Sequence, residues 1–167
     1  NYISKFFIED CYHIVSINGF YDSSISDKLP GEIEISNIIN SNINIKNIFS
    51  KISNYKLNPF NAINTSKFQE GILLSISCKK IEKPIQLINF FLSDEIDQAH
   101  YPRLLVKTEN ESSFSLINHF ISRDSKQHLI NSVVEMDILQ NSKINYSVIQ
   151  QGNIHSNSIN STGINQG

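Results

Sequence analysis

The stretch RLLVKTENESSFSLINHF, residues 103–120, aligns without a gap on VVEMDILQNSKINYSVIQ, residues 133–150. Leu104, Val106 and Thr108 fall on Val134, Met136 and Ile138, and Phe114 and Leu116 fall on Ile144 and Tyr146, while most alternate positions are polar. A period of two gives each strand one buried and one solvated face, and such a strand cannot bury its inner face alone. Recurrence at this constant offset makes the natural neighbour of each strand its own equivalent one repeat later. A looser copy precedes these two. Leu74, Ile76 and Cys78 precede Leu104, Val106 and Thr108 by the same offset, whereas Ile85 and Leu87 precede Phe114 and Leu116 by one position fewer, which places a slip in the turn around Pro84.

Strands stacked in this way predict a mainly β chain, a parallel β-helix or related solenoid. An antiparallel meander would carry Asn-Gly or Asp-Gly turns at short intervals, and none occurs from Ile72 onward. In this register Asn89 stacks on Asn118, which predicts an amide ladder inside the coil. Asp137 and Glu135 alternate with the apolar set and face away from the core, either lining a partner surface or keeping that face solvated.

Upstream the chain is less regular. YHIVSINGF, residues 12–20, reads as a short strand closed by Asn18-Gly19, and Leu29-Pro30-Gly31 is a turn. Ile45, Ile48, Phe49 and Ile52 have helical spacing within residues 36–53, although β-branched and Asn residues lower the helix propensity there. Asn58-Pro59 interrupts this segment, and NPFNAINTSKFQEG places Phe60, Ile63 and Phe68 on one helical face before Gly71. The expected organisation is a partial strand, turn and helix region over residues 1–58, followed by the β-helix core over residues 59–167.

Net charge is -2, and no basic stripe with interleaved aromatics occurs, so neither a nucleic-acid groove nor an anionic membrane is an expected partner. Apolar runs fall far short of the roughly 20 residues needed to cross a bilayer, which predicts a soluble protein. Cys11 and Cys78 lie far apart, outside any CxxC spacing, and imply neither zinc nor a disulfide. Sequons at Asn64, Asn110, Asn145 and Asn160 are what an Asn- and Ser-rich chain produces by chance.

His13, His100, His119, His128 and His155 share no HxH or HxxxH spacing, and His119, one repeat before Ile149, is expected at a solvated outward position. Asp94, Glu95 and Asp97 could hold a hard cation, but they lack an EF-hand's glycine and closing glutamate, so a solvated loop is expected. Cys78 falls in the column of Leu74 and Ile76 and is expected as a core thiol. No phosphate loop, nucleophile elbow, HExxH motif or catalytic carboxylate pair is found.

The series Asn64-Thr65, Glu70-Gly71-Ile72-Leu73-Leu74, Glu82-Lys83-Pro84-Ile85-Gln86-Leu87 and His100 with Pro102-Arg103-Leu104-Leu105-Val106 resembles the SufD family of iron-sulfur cluster assembly proteins, of which SufB is a close relative. Asn131, Val134, Glu135 and the run Asn141 to Gln150 are similar to that family's next coil, and Ile17 to Phe20 to its short leading strand. The resemblance implies a right-handed parallel β-helix and a non-enzymatic scaffold subunit. Such a subunit works with a SufB-like subunit and a SufC-like ATPase in the bacterial cytoplasm, or in the plastid of a eukaryote. A fragment of SufB and a carbohydrate-active β-helix are the alternatives, the second requiring convergent acidic and basic side chains on one outer face.

The cysteine and histidine that the family places at the SufB interface belong to later coils, so the resemblance implies a fragment. No catalytic, cofactor-binding or metal-binding residue carries over, no cofactor is expected within these residues, and Tyr101 is an insertion in the His-Pro-Arg run. Asn64, Gly71, Pro84, Pro102 and Arg103 carry over as fold-defining positions at turns and coil corners.

Overall fold

The computed structural model describes residues 2–41, 44–77, 79–92, 97–123 and 126–167. The chain is mainly β, with mixed parallel and antiparallel pairing in two sheets. Strands β1 (Tyr12–Ile17), β2 (Phe20–Tyr21) and β3 (Ile33–Asn37) come first, then helix α1 (Pro59–Lys67). After them follow β4 (Ile72–Ile76), β5 (Ile85–Phe91), β6 (Gln98–His100), β7 (Arg103–Thr108), β8 (Ser113–Ser122), β9 (His128–Ile138), β10 (Lys143–Gln151) and β11 (Ser156–Gln166). One sheet has the order β10-β8-β5-β1-β2 and the other β11-β9-β7-β4-β3, with β6 beside β9. From β4 onward the long strands alternate between the sheets, and each pairs in parallel with its equivalent one circuit later.

The register of the two best-matched segments is as read from the sequence. Leu104 and Val106 pair with Val134 and Met136, and Phe114 and Leu116 pair with Ile144 and Tyr146. The earlier copy differs. Leu74 pairs with Val106 rather than Leu104, Ile76 with Thr108 rather than Val106, and Ile85 with Leu116 rather than Phe114. Each partner lies two positions beyond the expected one, because residues 77–84 and 92–102 connect their strands with longer corners than residues 109–112 and 123–127 do. A shift of two is one full pleat, so every side chain keeps its face.

Inward-facing Ile14, Leu74, Ile85, Val106, Leu116, Val134 and Met136 form the main core between the sheets. Asn89 lies opposite Phe120 and Asn118 opposite Leu87, yet the amides meet diagonally, Asn89 Nδ2 donating to Asn118 Oδ1 at 2.7 Å. Asn118 Nδ2 donates onward to Tyr146 Oη at 3.0 Å, so the ladder ends on a phenol. Burial raises the Tyr146 pKa, opposed by its hydrogen bonds to Asn118 and Thr162.

Both outer faces are covered by chain from the N-terminal part of the sequence. Ile3, Phe6 and Phe7 pack on Val15, Ile88, Phe90 and Ile121 of one sheet. Ile38, Ile45, Ile48, Phe49, Ile52 and Phe68 pack on Leu73 and Leu105 of the other. Among the described residues the helix expected within residues 36–53 does not form, although several of its apolar residues do pack on the sheet. Only single turns close there, such as Phe49 N to Ile45 O at 2.9 Å, and Ser50 adopts φ 56°, in the left-handed region that stops an α-helix.

Helix α1 does form. The Asn58 side chain caps it by accepting from Phe60 N at 2.9 Å, with Pro59 in the first turn where its missing N–H costs nothing. The helix ends at Phe68, and Gly71 turns the chain into β4 at φ 65°. A Cβ on Gly71 would stand 2.5 Å from Ile38 Cδ1 and 3.2 Å from the Arg103 carbonyl, so both conformation and space call for glycine.

Candidate functional site

Four of the five residues expected to define the fold converge on the outer face of the β4, β7, β9 and β11 sheet. Arg103 opens β7 and is 2% exposed. Its Nη1 donates to Asn64 Oδ1 at 3.1 Å and Thr65 Oγ1 at 2.9 Å, and its Nη2 donates to Ser50 Oγ at 3.1 Å and to the Glu135 carboxylate. The guanidinium also lies 4.7 Å from the centre of the Phe49 ring, within cation–π range. Asn64, buried on α1, donates from Nδ2 to the carbonyls of Pro102 at 3.0 Å and Asn131 at 2.7 Å. Gly71 lies against the Arg103 backbone. Pro84 is elsewhere, at the corner before β5, where its carbonyl accepts from Tyr12 N at 2.8 Å.

The alternation in β9 predicts a Glu135 that faces solvent or a partner, and that expectation is corrected. Glu135 points outward from β9 but is 0% exposed, because the segment carrying Ser50 and Ser53 lies over it. Its two carboxylate oxygens accept from Ser50 N and Ser53 N, each at 2.9 Å, as well as from Arg103. These backbone donors are the ones an α-helix at residues 45–53 would have directed at its own carbonyls. Glu135 therefore replaces the helix with a strap fastened to the sheet.

Burial pulls the Arg103 pKa down, and the Glu135 charge and hydrogen bond push it back up. The signal for this in the sequence is Leu105. It occupies the outward phase, pairs with both Leu73 and Glu135, and an apolar column on an outer face implies a cover.

The strap continues across the sheet to β11. Gly163 pairs with Glu135, and a Cβ on it would meet Ser53 Oγ at 2.6 Å and the Ile52 carbonyl carbon at 3.1 Å. Gly163→Ala is expected to lift the strap and cost about 1–3 kcal/mol through overpacking. Urea unfolding combined with hydrogen exchange at Ser50 and Ser53 checks this, and unchanged protection there would contradict the crossing.

The histidines are held locally. His119 is outward-facing and pairs with Ile149 as expected, but it is not solvated. Phe6 covers it edge-on at 6.3 Å, and its ring nitrogens meet Gln86 Nε2 and Gln151 Oε1, each at 2.9 Å. Burial lowers its pKa, with the Gln151 bond opposing. His13 stacks on Phe7 at 4.1 Å and pairs with Asp27 at 2.8 Å. His128 is buried, with one ring nitrogen at Ser122 Oγ and the other 3.0 Å from the Lys126 carbonyl, and its ring lies 5.9 Å from that of His100. His155 bonds through its backbone, its carbonyl accepting from His128 N at 3.2 Å.

A surface cavity of about 370 Å³ opens beside His100, lined among others by Asn18, Phe20, Lys67, Glu70 and Tyr101. Asp94, Glu95 and Cys78 lie outside the described residues, whereas the Asp97 backbone N–H donates to the Gln127 carbonyl at 2.9 Å. Cys11 is buried, and burial raises its pKa, with Asp10 adding to the shift. Asp137 accepts from Asn165 Nδ2 at 2.8 Å. Among the described residues no three His, Cys, Asp or Glu side chains gather as a metal site, and no helix is long and apolar enough to cross a membrane. The most elaborate polar constellation is thus a clasp between sheet and cover, with Arg103, Asn64 and Glu135 each at most 2% exposed.

Residues 90–167 match the family model described as SUF system FeS cluster assembly, SufBD core domain. The match covers just under half of the chain, from the end of β5 through β11. No curated protein matches the chain. The matched model is that of a core domain named for both SufB and SufD, and the match does not separate the two.

Proposed function

We propose that the chain is part of a SufD-type scaffold subunit on which a SUF complex assembles iron-sulfur clusters, acting with a SufB-like subunit and a SufC-like ATPase. The observation that carries this reading is the SufBD core match over residues 90–167, which falls on the parallel, coil-to-coil strands. We read those strands as successive rungs of a parallel β-helix. The alternation of β7, β8, β9, β10 and β11 between two sheets at near-constant offset supports that reading.

Chemically, a scaffold supplies surfaces and rigidity, and nucleotide hydrolysis comes from its partner. The polar groups around Arg103 are in keeping with such a role, because they bond to one another beneath a cover. Asn64, Gly71, Pro102 and Arg103 then act as positions that hold the cover to the coil, and Pro84 acts as a corner. The working compartment would be the bacterial cytoplasm or a plastid.

Co-expression with SufB and SufC candidates from the same organism, followed by affinity purification and sedimentation, tests the proposal. A stable assembly containing both partners is the expected result. A chain that sediments alone in their presence would overturn it.

A further inference from the structure

Helix α1 is inverted with respect to polarity. Asn61 and Asn64 are 5% and 0% exposed, whereas Phe60 and Ile63 are each 41% exposed on the adjacent face. The orientation is enforced. Asn64 bonds to two carbonyls and to Arg103, and Asn131 Nδ2 donates to the Phe60 carbonyl at 2.9 Å, so the helix cannot roll to bury its apolar side. Leu57, 84% exposed just before the cap, and Tyr55, 43% exposed, extend the apolar surface toward the strap.

The charge around this ridge is one-sided. Lys51, Lys56 and Lys67 are exposed, none of them forms an ion pair among the described residues, and residues 51–69 contain no Asp or Glu. Lys67 lies on the same helical face as Phe60 and Ile63, at positions i, i+3 and i+7. Apolar anchors rimmed by uncompensated lysines complement a segment that is apolar at its centre and acidic at its edges.

We propose that the ridge of Leu57, Phe60 and Ile63 docks an acidic, amphipathic segment of a partner protein. This goes beyond the scaffold reading and holds whichever SUF subunit the chain represents. An anionic membrane fits less well. A fixed nine-residue helix offers few side chains for insertion, and the net charge of -2 gives the whole chain no long-range attraction to such a surface.

A random peptide library displayed on phage is selected on the immobilised chain and counter-selected on two surface variants, Leu57→Ser/Phe60→Ser/Ile63→Ser and Lys51→Glu/Lys56→Glu/Lys67→Glu. The changed side chains are exposed, so both variants should keep the parent's circular dichroism. Enriched peptides are expected to combine several Asp or Glu with large apolar residues. A synthetic peptide of the enriched sequence should bind about tenfold or more weakly to either variant, and more weakly at high salt. Neutral or basic peptides, no enrichment, or binding to either variant as tight as to the parent would overturn the proposal. So would ridge-dependent binding to phosphatidylserine vesicles or ridge-dependent self-association in place of peptide binding.

Discussion

Arg103→Met is expected to destabilise the fold by about 3–5 kcal/mol, a large share of the roughly 5–15 kcal/mol that holds a domain of this size together. Both members of the Arg103–Glu135 pair are fully buried at the side chain, so removing the cation leaves a carboxylate out of water with only two backbone N–H donors. Surface ion pairs contribute about 0–1 kcal/mol, and this pair should stand clear of that range because neither partner can turn to solvent. Glu135→Gln should also destabilise, since it leaves the guanidinium uncompensated. The double variant should cost less than the sum of the two, because the buried charges are then removed together. Urea denaturation of the three variants gives the coupling, and hydrogen exchange at Ser50 and Ser53 reports whether the strap has lifted. A single-variant cost below about 1 kcal/mol, the range of an exposed pair, with those amides still protected, would show that the clasp does not hold the cover.

What can be read in advance depends on whether the relevant residues are local in sequence. The register between residues 103–120 and 133–150 is legible because the two corners are equivalent. Glu111 and Asn141 both take the left-handed conformation, and Ser112 N bonds to Ser142 Oγ. Where corner lengths differ, alternation of polar and apolar residues identifies the faces but not the rung, since a two-residue shift moves no side chain to the other face. For that reason spacing alone aligns Leu74 with Leu104, although its partner is Val106. Glu135 and His119 read as facing water for a different reason. Each does point away from the inner core, but the segments over them, around Ser50 to Ser53 and around Phe6, come from a distant part of the chain. Periodicity within a strand carries no information about such a cover. The helix missing from residues 36–53 has the same origin, because its backbone donors are claimed by a carboxylate far downstream, on β9.

Leu116→Asp is expected to abolish cooperative folding, whereas Ile164→Asp at an inward-phase position of an end strand should cost at most about 1.5 kcal/mol, the low end for losing a buried aliphatic side chain. Leu116 sits in β8 between Ile85 of β5 and Tyr146 of β10 and is 0% exposed. The substitution forfeits roughly 1.5–3 kcal/mol of side-chain burial and adds a carboxyl group without a partner, which costs several kcal/mol whether it is buried charged or takes up a proton first. Ile164 also takes the inward phase, opposite Met136, but β11 ends its sheet and Ile164 is 48% exposed, so an aspartate there can reach water. On the proposed β-helix reading, rungs support only their neighbours, so a break in the middle removes support from both sides and a break at the end from one. The contrast between the two variants, measured by thermal unfolding and sedimentation, therefore tests the stacking itself. Comparable losses at both positions would mean that stability is not transmitted from rung to rung, and a folded Leu116→Asp protein within about 1 kcal/mol of the parent would mean that the side chain is not in the core.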